Sequence, residues 1–385
     1  MYKRILFGII GLVISIPAIM WLSWFFTPKT RFVAAIIDKS SQNSGGQEHI
    51  SLTWVLNHNR LTKTETQPYS SSNDYYGFFP MKNERFKIKG LERFSSSQLK
   101  QLSMDADMLY IADTYGIYNN EWYTHENEKK VSGMLYGGLS SKDNDLLDLM
   151  KKRKKLIIAE SNTLGSQTNS TNRTRFEKTF AVRSTGWTAR FFENLDTAVN
   201  KEIPSWMVNN YKKSHKGQWP FKKSGIVFIG YNDQLAILEE GIDLYDPMPY
   251  ILSNNYGQKN LSLPVKMKYS YWFEIIIANS TINNPAANFK ISATKRGLAE
   301  LKKYNIPSVF PAITFHKGKD YTFYYFSGDF CDNPIPLVTS YFKGIGLFKP
   351  MFYNETETME RSSFFWNFYR PMMTNIIKDY SENKQ

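Results

Sequence analysis

Three short apolar runs, each closed by an acid, set the pattern of this chain. They are Phe32–Ile37 before Asp38, Met108–Ala112 before Asp113, and Leu156–Ala159 before Glu160. Continuous apolar runs of this length predict strands buried on both faces of a parallel sheet. Ser140–Lys155 predicts the clearest helix. Serines open it, Asp143, Asp145 and Asp148 fall in its first half, Leu146, Leu147, Leu149 and Met150 form its apolar side, and a basic run closes it. Acid early and base late suits the helix dipole. Gln47–His58 predicts a second helix, with Ile50, Trp54 and Val55 on one side. Gly225–Gly230 with Gln234–Leu238, and Ala312–Phe315 with Tyr321–Ser327, predict hairpins. Thr294–Tyr304 is amphipathic through Leu298 and Leu301, and Ser363–Tyr380 predicts a closing helix interrupted at Pro371. Helices alternating with strands early and hairpins late predict an α/β fold, a mainly parallel sheet extended by antiparallel hairpins. Residues 199–223 and 242–290, rich in Pro, Asn, Tyr and Lys, are expected as insertions over that sheet.

The N-terminus has a different pattern. After Lys3 and Arg4, the run Ile5–Phe26 carries no charge. At about 1.5 Å rise per residue it spans roughly 33 Å, enough to cross a bilayer core. It ends in Trp21, Trp24, Phe25 and Phe26, the residue types that gather at a membrane interface, rather than in a small-residue cleavage site. The expectation is a transmembrane signal anchor over residues 1–30 and an extracytoplasmic α/β body over 31–385. The bilayer is then a partner through residues 5–26. The location expected is a bacterial inner membrane, single-pass, with the N-terminus cytoplasmic and the body periplasmic or extracellular.

Composition narrows the chemistry. In 385 residues there is one cysteine, Cys331, which excludes an internal disulfide framework and a cysteine zinc site. Aromatics make up 16% of the chain, which excludes a disordered protein. The net charge of +13 invites a nucleic-acid reading. Part of that charge flanks the anchor, however, and Lys151–Lys155 ends a helix, where basic residues are expected. The basic run lacks the interleaved aromatics of single-strand binders, and no nucleic-acid partner is expected.

Ligands of open parallel sheets bind beyond the carboxyl ends of the strands. Asp113, Glu160 and Asp329 fall at such ends and are the candidate catalytic residues. Asp38 falls at another, and with Glu48, His49, Tyr115, Trp187 and His316 it makes up the candidate ligand-binding set. Paired acids can hydrolyse glycosides, one protonating the leaving group and the other acting as nucleophile or base. Acids with a His also suit a divalent metal, but His49 and His58 lack a zinc-helix spacing, and neither metal nor cofactor is expected. The loop aromatics, among them Trp187 in Ser184-Thr185-Gly186-Trp187, offer apolar faces on which a sugar ring can stack.

The order of these motifs resembles the class I glutamine-amidotransferase-like fold, with its flavodoxin-like sheet. The stretch FPAITFHKGKDYTFYYFSGDF resembles that superfamily's closing hairpin. Together with EHISLTWVLNH, ADTYG, YGGLS, AESNT and STGWTARFF, it resembles a family of bacterial membrane-anchored proteins carrying such a domain. Amidotransferases place a nucleophilic cysteine on the sharp turn after a central strand. The matching turn here is Glu160-Ser161-Asn162, without one, and the elbow glycines that would support Ser161 as nucleophile are absent. Glutamine hydrolysis is therefore not expected. The expected function is a membrane-anchored envelope protein whose body binds a ligand, a glycan among the candidates, or an envelope protein partner. The alternative is a hydrolase acting on envelope or secreted polysaccharide through the strand-end carboxylates.

Overall fold

The computed structural model describes residues 15–123 and 133–383. Its centre is a ten-stranded sheet. Thr322–Phe326, Leu156–Glu160, Met108–Asp113, Ala34–Asp38 and Tyr76–Pro80 lie side by side in that order and all run parallel. Numbered along the chain, these strands take the order 2-1-3-4-5 of a doubly wound sheet, whose ligand crevice opens where the order reverses. That reversal lies between Ala34–Asp38 and Met108–Asp113, where Asp38 and Asp113 stand opposite each other. Antiparallel strands extend both flanks. Phe86–Ile88 adds to Tyr76–Pro80, and Val309–Lys317, Asn284–Ala293, Leu244–Ser253 and Lys266–Lys268 follow in turn beyond Thr322–Phe326.

The hairpin expected around 312–327 thus joins the central sheet. The one over Gly225–Gly230 and Leu235–Glu239 does not. With Val182–Phe192 and Phe273–Ala278 it forms a separate four-stranded antiparallel sheet. The Glu274 N–H donates to the Ser327 carbonyl at 2.7 Å and hooks that sheet to the end of Thr322–Phe326. Residues 242–290 supply strands to both sheets.

Local chemistry accounts for the helices. Ser140 caps Ser141–Lys152 by accepting from the Asp143 N–H, while the Asp143 carboxylate accepts from the Ser140 N–H, a reciprocal capping box. The closing helix changes pitch just ahead of Pro371. Residues Phe365–Tyr369 form a π-turn, and Arg370–Asn383 resumes the α-helix with the proline at its start, where a missing N–H costs little.

The expected membrane span Ile5–Phe26 lies partly outside the described residues. Residues 15–25 are helical, and no helix among the described residues is long and apolar enough to cross a membrane.

Lys39, directly after the first strand, is almost wholly buried. Its ammonium binds Asp143 at 2.6 Å, Glu92 at 2.6 Å and the Gly138 carbonyl at 2.9 Å, so it ties the first strand to the loop and helix after Tyr136. Removing a partner of a buried ion pair leaves an uncompensated charge. Lys39→Ala should lower stability by about 3–5 kcal/mol in urea unfolding. A loss below about 1 kcal/mol, the value of an exposed pair, would contradict this.

Candidate functional site

Two loops and one helix edge bring acids to the carboxyl ends of the parallel strands. Asp38 is fully buried and its oxygens are occupied. Oδ1 accepts from the N–H of Ser40 and Ser41, at 2.9 and 3.1 Å. Oδ2 accepts from the Ser41 hydroxyl at 2.9 Å and meets His49 Nδ1 at 2.6 Å. His49 Nε2 lies 2.7 Å from the Ser71 carbonyl, which can only accept, so Nε2 carries a proton and Nδ1 shares its hydrogen bond with Asp38. The pair therefore stitches the loop after the first strand to the segment around Ser71. It holds the end of the short helical turn Gln47–His49 and so places Glu48.

Asp113 is buried beside it. Its Oδ1 accepts from the Tyr115 N–H at 2.6 Å and from Asn162 Nδ2 at 3.1 Å. Asn162 sits on the sharp turn after Glu160 with φ of 69°, a left-handed conformation that asparagine tolerates. Tyr115 is exposed at the rim, its ring 5.3 Å from Tyr118.

Glu160 faces inward. Its Oε2 accepts from the N–H of Phe330 and Cys331, at 2.9 and 3.0 Å, and its Oε1 accepts from the Tyr110 hydroxyl. Tyr110 meets the Tyr369 hydroxyl at 2.9 Å, and Tyr369 donates to Cys331 Sγ at 3.1 Å. Glu160 thus tethers the loop 328–333 from beneath, and Cys331 is buried in that tether.

The tethered loop presents Asp329 and Asp332. One carboxylate oxygen from each of Glu48, Asp329 and Asp332 lies within 4.8 Å of the others, a grouping that suits oxygen ligands of a hard divalent cation. Arg361 supplies positive charge from the far end of the chain. It is buried, binds Asp332 Oδ2 at 2.7 Å and the Asp329 carbonyl at 2.7 Å, and stands 3.5 Å from Asp329 Oδ2. Its other face covers the Tyr271 ring at 3.6 Å. On that side a cleft of about 310 Å³ opens, lined by Tyr271, Lys266, Lys268 and Glu357 among others.

Burial in this crevice disfavours the ionised carboxyls, and three of the acids respond by holding protons. Burial, reinforced by Asp332, Asp113 and Asp329, raises the Glu48 carboxyl well above the usual range. Burial, with Asp329 nearby, raises Asp113, against the pull of the Tyr115 N–H. Asp329 is pushed up to about 7 by burial, with Arg361 opposing and Asp332 adding. The arrangement offers Asp329 poised to give or accept a proton near neutrality, or oxygens for a cation that displaces bound protons.

Of the residues singled out from sequence, Asp38, Glu48, His49, Asp113, Tyr115, Glu160 and Asp329 gather at this edge. His316 and Trp187 do not belong to it. His316 pairs with Phe323, while Phe326, at the other end of the same strand, pairs with Glu160. His316 therefore lies at the opposite edge of the sheet, bound to the Ile282 carbonyl and Asp320. Trp187 is buried in the four-stranded sheet against Tyr304. Sequence reasoning missed Asp332, Asn162 and Arg361. The first stands three residues after Asp329 and the second two after Glu160, proximity that could have flagged both. Nothing local flags Arg361.

No protein-family model matches the sequence, and no curated protein matches it. Among solved structures, a putative ThuA-like protein from Bacteroides uniformis ATCC 8492 aligns at 8% identity and a TM-score of 0.35, over 79% of this chain and 83% of that one. The carbohydrate deacetylase Agd3 aligns at 7% identity and 0.31, over 78% and 29%. A β-galactosidase from Rahnella sp. R3 aligns at 8% identity and 0.28, over 58% and 20%. This chain thus spans less than a third of the deacetylase and galactosidase chains. TM-scores this low carry no argument about its activity.

The raised acids fix a pH signature. Asp329 is protonated in the folded state and ionised in the unfolded state between about pH 4 and 7, so the native state binds more protons there. The Asp329 contribution to stability should fall as pH rises through that window and level off above it. Glu48 and Asp113 act with the same sign. Asp329→Asn should flatten this slope in urea unfolding from pH 4 to 8, and an unchanged slope would contradict the assignment.

Proposed function

We propose that this chain is an envelope protein held at a membrane through residues 5–26, with its folded body outside the cytoplasm binding a ligand in the acid crevice. The observation that carries this reading is the convergence of Glu48, Asp113, Asp329 and Asp332 at the reversal point of a doubly wound sheet. The crevice is rich in acceptors, which suits a ligand rich in hydroxyl donors, and an envelope glycan is the class proposed. The sheet order supports the amidotransferase-like resemblance. The absence of cysteine from the turn at Glu160-Ser161-Asn162 supports a role other than glutamine hydrolysis.

One observation favours a second reading, polysaccharide hydrolysis. Asp329, pushed up to about 7, is a proton donor at neutral pH beside other carboxyls. A glycosidase uses one acid to protonate the leaving group and a second to act as nucleophile or base. In this reading Asp329 is the donor and Asp332, ion-paired to Arg361 at 2.7 Å, is the nucleophile or base. Glu160 positions the loop.

Calorimetric titration of the detergent-solubilised chain against envelope oligosaccharides, with and without Ca²⁺, tests both. Binding is expected, weakened at least tenfold (about 1.4 kcal/mol) by Glu48→Gln or Asp113→Asn. Release of shorter sugars that Asp329→Asn abolishes would select the hydrolase. No heat and no turnover with any glycan would sink the glycan reading. A C-terminal reporter fusion should be active outside the cytoplasm, and activity confined to the cytoplasm would overturn the topology.

A further inference from the structure

We propose that the segment Leu337–Met351 is a second membrane contact, seated in the headgroup boundary beside the anchor. This rests on the anchor reading of residues 5–26 and adds a surface to it.

The end of the N-terminal helix is clamped to the body. Trp24 is buried and donates its indole N–H to the Asn57 carbonyl at 3.0 Å. Arg60 covers the Trp24 ring at 4.2 Å and donates to the Phe25 carbonyl at 3.0 Å. The body therefore has a fixed attitude to this helix, and whatever lies beside the helix is carried to the same depth.

Leu337–Met351 lies beside it. The Lys343 N–H donates to the Met20 carbonyl at 3.0 Å, Tyr341 meets the Trp24 ring edge-on at 4.9 Å, and Lys343 Nζ reaches the Thr27 hydroxyl at 3.4 Å. Gly344, at φ of 79°, then turns the chain into the short helix Ile345–Met351. On that helix Leu347 is 86% exposed and Met351 79% exposed. Phe26, just past the N-terminal helix, is 75% exposed, and Trp21, Leu22 and Phe25 on that helix are also exposed.

Large apolar side chains left out on neighbouring segments mark an interaction surface. Two features of the chain choose lipid as the occupant. The uncharged run that begins at Ile5 leads directly into the exposed aromatic face, as in an interfacial aromatic belt. Lys29, Arg31, Lys343 and Lys349 flank the apolar residues in sequence, the pairing of apolar and basic side chains that suits an anionic leaflet.

The test uses the full chain in vesicles of phosphatidylcholine and phosphatidylglycerol. Leu347→Cys carries an environment-sensitive fluorophore, and Val199→Cys, exposed in the connection after Phe192, serves as control. The native Cys331 is buried. The label at 347 should be blue-shifted, quenched several-fold by nitroxide lipids and shielded from aqueous iodide. The label at 199 should behave oppositely. Leu347→Asp with Met351→Asp, labelled at neighbouring Val338→Cys, should abolish lipid quenching while the chain still sediments with the vesicles. A 347 label as open to iodide as the 199 label, on chain that sediments, would overturn this inference and leave the anchor standing. Shielding from iodide without lipid quenching would overturn it in favour of a protein partner. Failure of the chain to sediment would overturn the anchor, and the inference with it.

Discussion

The grip of buried Glu160 on the loop 328–333 is the interaction on which the rest of the crevice depends. A carboxylate at the end of the Leu156–Glu160 strand accepts the N–H groups of Phe330 and Cys331 and the Tyr110 hydroxyl. That loop leaves the neighbouring strand Thr322–Phe326, so the bond fixes where Asp329 and Asp332 stand. Arg361 and Glu48 can then meet them. Without the tether, mutual repulsion among the acids would push the loop toward water. The tether holds them in a buried site, and burial raises the proton affinity of Asp329 and Glu48.

The hydrogen-bonded acids at the strand ends have divided roles. Asp38 is spent on Ser40, Ser41 and His49, and Glu160 on the loop beneath. They build the crevice. Glu48, Asp113, Asp329 and Asp332 face it, with Arg361 offsetting part of their charge. Asp329, pushed up to about 7, is a chemical resource as well as a cost, and the same group of oxygens serves a hydroxyl-bearing ligand or a cation.

Much of this fold was legible in the chain. Fully buried parallel strands need apolar residues on both faces, so Ala34–Asp38, Met108–Asp113 and Leu156–Glu160 stood out as unbroken runs. The opening serines, the early acids and the basic end marked the helix between them. The four-stranded sheet was not legible, because its hairpin looks the same locally whichever sheet it joins. Partner choice there depends on Val182–Phe192 and Phe273–Ala278, far away in sequence. Arg361 was invisible for the same reason. The direction of Glu160 was hidden too, since a strand-end acid looks alike whether it faces a crevice or a loop. His316 is a different case. It precedes the turn into Thr322–Phe326, whose far end carries the acids, so strand direction alone places it at the opposite edge.

The central claim is that burial at the carboxyl ends, with Asp332 beside it, pushes Asp329 up to about 7. Infrared difference spectroscopy of the folded chain, titrated from pH 5 to 9, reads the protonated carboxyl band directly. The account predicts a band that persists at pH 6, with a component that declines around 7 and is missing in Asp329→Asn. Its absence at pH 6, with the carboxyls already ionised, would contradict the account.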